Sequence, residues 1–550
     1  MNRPSPMSDP DPLRRALLRH GWSAGAAGLL AGGGLLSACG ERSANANANA
    51  NASAASSSGG TAATSATPAV EGQPRRSSGA VHFGVIETGQ AGNLDAHKPV
   101  GSGAFRGWAL YAKLWEWGLD GLPTLALAEE AQVNRDGTEW TIRLKPGLEF
   151  HHGKTIDADD VIFSLRRLTD PALASPYAAY LYSLRRDEVR KLDDRTVRIP
   201  FAKGQGLVAL AECWMSWGGI VPVDYHPVTN VVGAGPYRLK SFTPGQRSVF
   251  TRFDNYFKPG QPWFDEVHIH DFADQTARLQ ALQAGQIDIA PGIAAEQLQF
   301  LERDPRLRVV ASQTDAWQSL DMNLSKAPFD KPEVRRAFRL IADRQELVDR
   351  VLQGRGRVAN DLYSPGDPVY DHDIPQRRRD LAEARRLLAQ AGYPNGLDVE
   401  LVTPGSKAAL VFAQQAKAAG VTVTVKQVDA STFTGPNRAG WTFSTGAGVS
   451  RPFLLTVQQH DGPRAANNKT HFRDPRFGEL ITAALAQADL EQRKALVHEA
   501  QRIQHDSGGL LIWGFADVLD AVSTRIGGVT PDRTGFAAWR TDRIWRLEDA

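Results

Sequence analysis

Cysteine is nearly missing from this chain. Cys39 and Cys213 are the only two in 550 residues, so neither a disulfide framework nor a four-cysteine zinc site can organise the fold. An excess of one charge sign is also missing: 63 lysines and arginines face 61 aspartates and glutamates, which leaves no field to hold a polyanion, and no nucleic acid partner is expected. Enzyme signatures are equally sparse. His498 and Glu499 begin like a zinc-protease helix, but Arg502 occupies the second histidine position. No GxSxG elbow occurs, and the run Gly354, Gly356, Ala359 follows the helical phrase Leu347 to Leu352 where a dinucleotide loop would follow a strand. His151 and His152 adjoin, yet nothing nearby supplies further ligands. Catalysis, a cofactor and a metal centre are therefore not expected. What is present is a composition 42% hydrophobic and 23% charged, enough to bury a large core.

The amino terminus reads as an address. Arg14 and Arg15 precede a small-residue apolar stretch from Leu17 to Leu36 that carries no charge after Arg19. Its many glycines make it a poor membrane anchor, because a stable spanning helix wants about 20 strongly apolar residues. Leu36, Ser37, Ala38 and Cys39 then resemble the bacterial lipobox, whose cysteine receives a lipid. The arginine pair resembles a twin-arginine signal without its usual flanking residues, so that route and the general secretion route both stay open. Residues 1–38 are expected to be removed, which takes the net charge from +2 to about zero. Residues 39–80 follow as the lipidated Cys39 and a tether: Ala and Asn alternate from Ala44 to Ala52, then Ser, Gly, Thr and Pro dominate. Such a coil of about 40 residues reaches on the order of 35 Å.

From Val81 onward β-like runs alternate with helical ones, and no stretch is apolar enough to cross a bilayer. Strands are predicted at Val81 to Ile86, Trp140 to Leu144, Thr196 to Ile199, Val267 to Ile269, Asp398 to Val402 and Val421 to Val428. Helices are predicted at Asp157 to Arg167, Gln275 to Ala284, Val334 to Ala342, Leu381 to Ala391, Lys407 to Ala419 and Glu491 to His505. In the helix from Leu381, the residues Leu381, Ala384, Leu387, Leu388 and Ala391 share one face, Asp380 can cap the start and Gly392 ends it. The class is mixed α/β, with a βαβ unit from Asp398 to Val428.

Several phrases in order resemble the family 5 extracellular solute-binding proteins, the peptide, oligopeptide and nickel receptors of ATP-driven importers. They include Asp136 to Trp140; Leu144, Lys145, Gly147, Phe150, His151, Gly153, Ala158, Asp160, Val161, Ser164 and Arg167; Gly233 to Tyr237; Asn255, Tyr256, Phe257, Gly260, Asp265 and Val267; Leu282, Gly285, Ile287 and Asp288; and Asn323, Pro328, Phe329, Val334, Arg335, Ala337, Asp343 and Arg344. Taken singly each is scaffold: Gly235 and Pro236 make a tight turn. Together they identify the framework without locating a ligand.

The resemblance implies a two-lobed periplasmic-binding-protein fold of type II with an extra domain, and a hinge that closes the cleft over solute. By that analogy residues 80–115, 225–318 and 515–550 form the base lobe, 116–224 its extra domain and 319–514 the second lobe. It further implies a lipid-anchored receptor in the periplasm or on the outer face of the cytoplasmic membrane. That receptor would pass a small solute (peptide, modified peptide, opine, sugar or metal chelate) to an ABC permease and ATPase complex. A lipoprotein sensor or chaperone built on the same scaffold is the alternative. In the peptide receptors a tryptophan phrase is followed by an aspartate that pairs with the ligand's amino group. Here Trp441 is followed through Arg451 by no acid, which implies a neutral sub-site edged by Thr445 and Arg451 and favours an uncharged or anionic group. Trp317 and Trp513 near the lobe crossings, with Arg355 and with Asn93 in the loop after the first strand, complete the expected ligand-binding set.

Overall fold

The computed structural model describes residues 77–87, 92–175, 177–181, 183–202, 218–465 and 467–547. Arg14, Arg15, Cys39, residues 40–76 of the expected tether, Cys213 and Thr88 to Ala91 lie outside the described residues, while residues 77–80, expected as the end of the tether, already belong to the first strand.

Strand β1 (Ser77–Ile86) opens the body, and β2 (Trp115–Trp117) pairs with β3 (Pro123–Leu125) as a hairpin. β4 (Ala128–Val133), β5 (Glu139–Leu144), β6 (Arg190–Asp193) and β7 (Thr196–Pro200) make a separate antiparallel sheet in the order β4-β5-β7-β6. Its helix, Ala158–Leu168, starts where the sequence requires: Asp157 accepts from the amides of Asp159 and Asp160, and Asp160 reaches back to the Asp157 amide. His151 holds the glycine-proline turn, its Nε2 3.0 Å from the Gly235 carbonyl oxygen. Burial pushes this imidazole down to about 4, so it serves as a neutral brace.

The main sheet has eleven strands. β8 (Tyr237–Thr243), β9 (Arg247–Arg252), β10 (Phe264–Phe272) and β11 (Ile289–Ala290) join β1. β12 (Leu307–Met322) leads to β13 (Gly356–Val358), β14 (Leu397–Thr403), β15 (Val421–Gln427) and β16 (Phe443–Gly448), and β17 (Leu510–Ser523) returns. The order is β15-β14-β16-β12-β17-β11-β1-β10-β9-β8, with β13 added to β17. The βαβ unit is present: β14 and β15 run parallel from Leu397 opposite Val421 to Thr403 opposite Gln427, with helix Lys407–Lys417 between them. Asp380 caps helix Leu381–Gln390 through the Glu383 amide.

Two strands hold the lobes together. β12 and β17 run antiparallel from Leu307 opposite Ser523 to Asp321 opposite Leu510, and their ladder slips between Gln313 and Ala316 and again between Gln318 and Ser319. Such irregularities bend a strand pair. On one side of the first slip lies the core around Val81, Phe83, Phe250, Ile269 and Val522; on the other lies the core around Leu320, Phe338, Leu401, Phe412 and Phe443. At the slip itself, Asp315 accepts from Arg357 Nη2 at 3.0 Å and from the Gly366 amide at 2.8 Å, while its own amide donates to Ser450 Oγ. The hinge of this two-lobed α/β fold is thus a bent strand pair stitched by one carboxylate. Among the described residues, no helix is long and apolar enough to cross a membrane.

Candidate functional site

Just past the hinge, strand alternation builds one face of the second lobe. In the β12–β16 ladder Trp317 stands opposite Gly448, Ser319 opposite Gly446 and Asp321 opposite Ser444. Trp317, Ser319 and Asp321 therefore share a face, while Leu320 and Met322 turn into the opposite core. Gly446 and Gly448 are bare for a reason. A Cβ on Gly446 would overlap the Asp321 carboxylate and Ser319 Oγ, and one on Gly448 would overlap the Trp317 indole. The side chains of β12 thus lie flat across the backbone of β16, which only glycine permits.

This face is polar and mostly cationic. Asp321 accepts from Ser319 Oγ and pairs with Lys469 Nζ at 3.4 Å, with both side chains buried. Burial is the main cause that lowers the Lys469 ammonium, partly offset by Asp321. Arg438 is lowered for the same reason, and its guanidinium has no hydrogen-bond or ion-pair partner among the described residues, with Nε enclosed. His460 sets its ring edge-on to Trp317, 5.1 Å away at 81°. Burial, with the positive charges of Lys469, Arg438 and Arg451, pushes it down to about 3, so the imidazole is neutral at pH 7. Trp317 Nε1 and Trp441 Nε1 are enclosed without a hydrogen-bond partner among the described residues. Lys469, Arg438 and Arg451 thus bring three basic side chains to this face around Asp321.

The site is covered from the other side of the molecule. Tyr180, beside the four-stranded sheet, accepts from Arg451 Nη1 and Gln459 Nε2, and the Arg451 guanidinium stands 5.8 Å from the Tyr180 ring centre. Farther out, Lys407 pairs with Glu296 at 2.6 Å across the seam. An exposed pair of this kind contributes at most about 1 kcal/mol.

The structure divides the expected residues. Trp317 forms the floor, Trp441 lies half-buried at its edge with its carbonyl accepting from Asn323 Nδ2, and Arg451 sits at the seam. Thr445 does not belong with them: β16 turns it to the opposite face, where its hydroxyl meets Thr403 Oγ1 at 3.1 Å. Trp513 is 1% exposed and packs among core residues of the second lobe. Arg355 is engaged on the surface by Glu302 at 3.1 Å. Asn93 spends its amide on its own loop, accepting from the Val100 amide and donating to the Lys98 carbonyl. The expectation of a neutral sub-site also needs correction. No acid follows Trp441, but β12 lays Asp321 directly over Gly446, and Lys469 and Arg438 add charge. These residues are far apart in sequence, and only the alternating Gly446 and Gly448 signalled that something lies across the strand. The false zinc helix is scaffold as well: Arg502 pairs with Asp371 at 3.0 Å and Glu499 with Arg476 at 2.8 Å.

Known proteins share this architecture. Residues 123–450 match the model of the bacterial extracellular solute-binding proteins, family 5 middle region. The chain is 27% identical to heme-binding protein A of Haemophilus influenzae over 75% of this chain and 83% of that relative. It is 28% identical to the glutathione-binding protein GsiB of Pectobacterium atrosepticum over 77% and 85%. Among solved structures, the periplasmic binding protein AgaA of A. tumefaciens R10 in complex with agropinic acid is 25% identical with a TM-score of 0.70, over 86% of this chain and 99% of that one. The binding protein CtaP of Listeria monocytogenes, at 20% identity and a TM-score of 0.75, shows the same fold over 86% and 100%. With the hinge, the two lobes and a family match over most of the body, the chain belongs to family 5 of the bacterial extracellular solute-binding proteins, the non-enzymatic solute-capturing components of ABC importers.

Proposed function

We propose that the solute is a small peptide or peptide-like molecule bearing a carboxylate, and that its acidic group is held by Arg438 and Lys469 above the Trp317 floor. One observation carries this reading: the guanidinium of Arg438 is largely enclosed and has no hydrogen-bond or ion-pair partner among the described residues, Asp321 acting on it only from a distance. A buried cation without a direct partner is costly, Asp321 offsets that cost only in part, and a ligand carboxylate in contact with the guanidinium removes more of it. A free ammonium, by contrast, would have to compete with Lys469 for Asp321. The relatives named for glutathione and agropinic acid take ligands that carry carboxylates, which supports the same chemistry. We further infer that the chain is exported, that Cys39 receives the lipid and tethers the body at the outer face of the cytoplasmic membrane, and that the lobes divide at 80–115, 225–318 and 515–550, with the extra domain at 116–224 and the second lobe at 319–514. The separate four-stranded sheet and the two cores on either side of the hinge support that division.

Titration calorimetry with a panel of acidic solutes, each paired with its amide-capped counterpart, tests the site. Charge-assisted hydrogen bonds contribute about 1.5–3 kcal/mol. Capping the carboxylate, or changing Arg438→Ala, should therefore weaken binding by roughly 10-fold or more. Equal affinity for free and capped forms would remove Arg438 from the site.

A further inference from the structure

Three histidines converge on the base-lobe half of the sheet, separated from β12 by β17 and β11. His82 on β1 stands opposite His268 on β10 in parallel register, and His270 follows two residues on, so alternation brings all three to one face. His82 Nδ1 lies 3.2 Å from His270 Nε2. The rings of His82 and His268 meet edge-on at 4.7 Å, and those of His82 and His270 stack at 5.4 Å. One ligand nitrogen from each lies within 4.8 Å of the others. Two imidazole nitrogens bound about 2.0–2.1 Å from a tetrahedral ion stand roughly 3.3 Å apart, so the His82–His270 pair already has chelate spacing.

His268 supplies the second observation. Its Nε2 lies 2.8 Å from Glu266 Oε2, while its Nδ1 is buried with no hydrogen-bond partner among the described residues. Glu266 is itself held by Lys240 at 2.6 Å. A carboxylate that fixes one ring nitrogen and leaves the other with a bare lone pair is the arrangement found behind metal-bound histidine. A simple His82–His270 hydrogen bond accounts for the 3.2 Å contact, but it leaves His268 Nδ1 with nothing to bond. Arg247 and Arg546 bring positive charge to the neighbourhood, and Asp288, Asp271 and Glu266 offset it.

We propose that His82, His268 and His270 form a transition-metal site separate from the solute site, for an ion of the imidazole-preferring class such as Zn²⁺, Ni²⁺ or Cu²⁺, with the remaining position open to water or an outside ligand. Glu266 acts as a positioning residue for His268.

The test uses the full chain without a histidine tag, stripped with chelator. It is titrated separately with zinc, nickel and copper salts and desalted for metal analysis. The expected result is one ion per chain, with copper giving an electron paramagnetic resonance spectrum split by imidazole nitrogens. His270→Ala and His268→Ala should abolish that uptake, Glu266→Gln should weaken it about 10–100-fold, and His226→Ala, an exposed histidine elsewhere, should change nothing. Absence of stoichiometric uptake, uptake that survives His270→Ala, or a wild-type copper spectrum of oxygen ligands alone would overturn the proposal. The last readout stands even if a variant fails to fold.

Discussion

Replacing Gly448 with alanine places a methyl group where the indole of Trp317 already stands. The backbone at Gly448 is ordinary strand, so the penalty is steric and not conformational. Trp317 cannot swing aside: it is 1% exposed, with Tyr363 at 6.2 Å and the edge of His460 at 5.1 Å. Overpacking a well-filled core costs about 1–3 kcal/mol. For a domain of roughly 150–250 residues each kcal/mol shifts Tm by about 2–4 °C, so the Gly448→Ala melting point should fall by roughly 2–12 °C. Gly440→Ala is the matched control, because nothing lies within 4 Å of the added carbon, and its effect should stay within about 0.5 kcal/mol. Adding Trp317→Leu to Gly448→Ala should recover part of the loss, since the clashing ring is gone. Thermal melts of the four proteins at one pH, without solute, decide the matter. If Gly448→Ala melts like Gly440→Ala, the indole does not lie across β16 and the floor of the site is misplaced.

Other expectations concern charge and closure. Asp461, bonded to Gln504 Nε2 at 2.7 Å and to the Tyr363 hydroxyl, is pushed up to about 7 by burial. The native chain keeps this proton where an unfolded carboxyl, titrating at about 4, has lost it, so stability falls as pH rises from about 4 to about 7 and then levels. Asp461→Asn should therefore gain on wild type at pH 8 but not at pH 4, and parallel melting curves at the two pH values would refute this. Thr445→Asp should destabilise by about 1–3 kcal/mol, the cost of an unsatisfied buried polar group, because the new carboxylate points at Thr403 and away from solute; an unchanged melt with better binding of amine ligands would reverse that placement. Tyr180→Phe removes the acceptor shared by Arg451 and Gln459, so the solute-free protein should show a larger radius of gyration by small-angle scattering, with no change expected only if the seam is held elsewhere.

Much of the framework was legible because its signals are local. Asp380 caps its helix as the sequence suggests, the helix predicted from Asp157 is present with Asp157 as its cap, and the βαβ unit read from Asp398 to Val428 is found with β14 and β15 parallel. The site was less legible because it depends on register between distant segments. Trp317 was identifiable as a large aromatic near a lobe crossing and Trp441 from its tryptophan phrase, but the face that Trp317 presents is set by the β12–β16 ladder, and a one-residue difference separates Thr445 on the core side from Gly446 beneath Asp321. Trp513 looked like a wall and is core for the same reason. Lys469 and Arg438 carry no motif, since a buried cation is recognisable only by the partners around it. The three histidines show the same limit: His268 and His270 display alternation, but nothing local joins them to His82.

The most direct measurement is native mass spectrometry of the gently purified chain, followed by thermal shifts with the solute it retains. A retained small molecule bearing at least one carboxylate, which raises stability by about 2.7 kcal/mol at 100 times its Kd and loses that effect in Arg438→Ala, is the expected result. Retention of a purely cationic or uncharged solute, with an equal shift in Arg438→Ala, would contradict an anion-binding site on the second lobe.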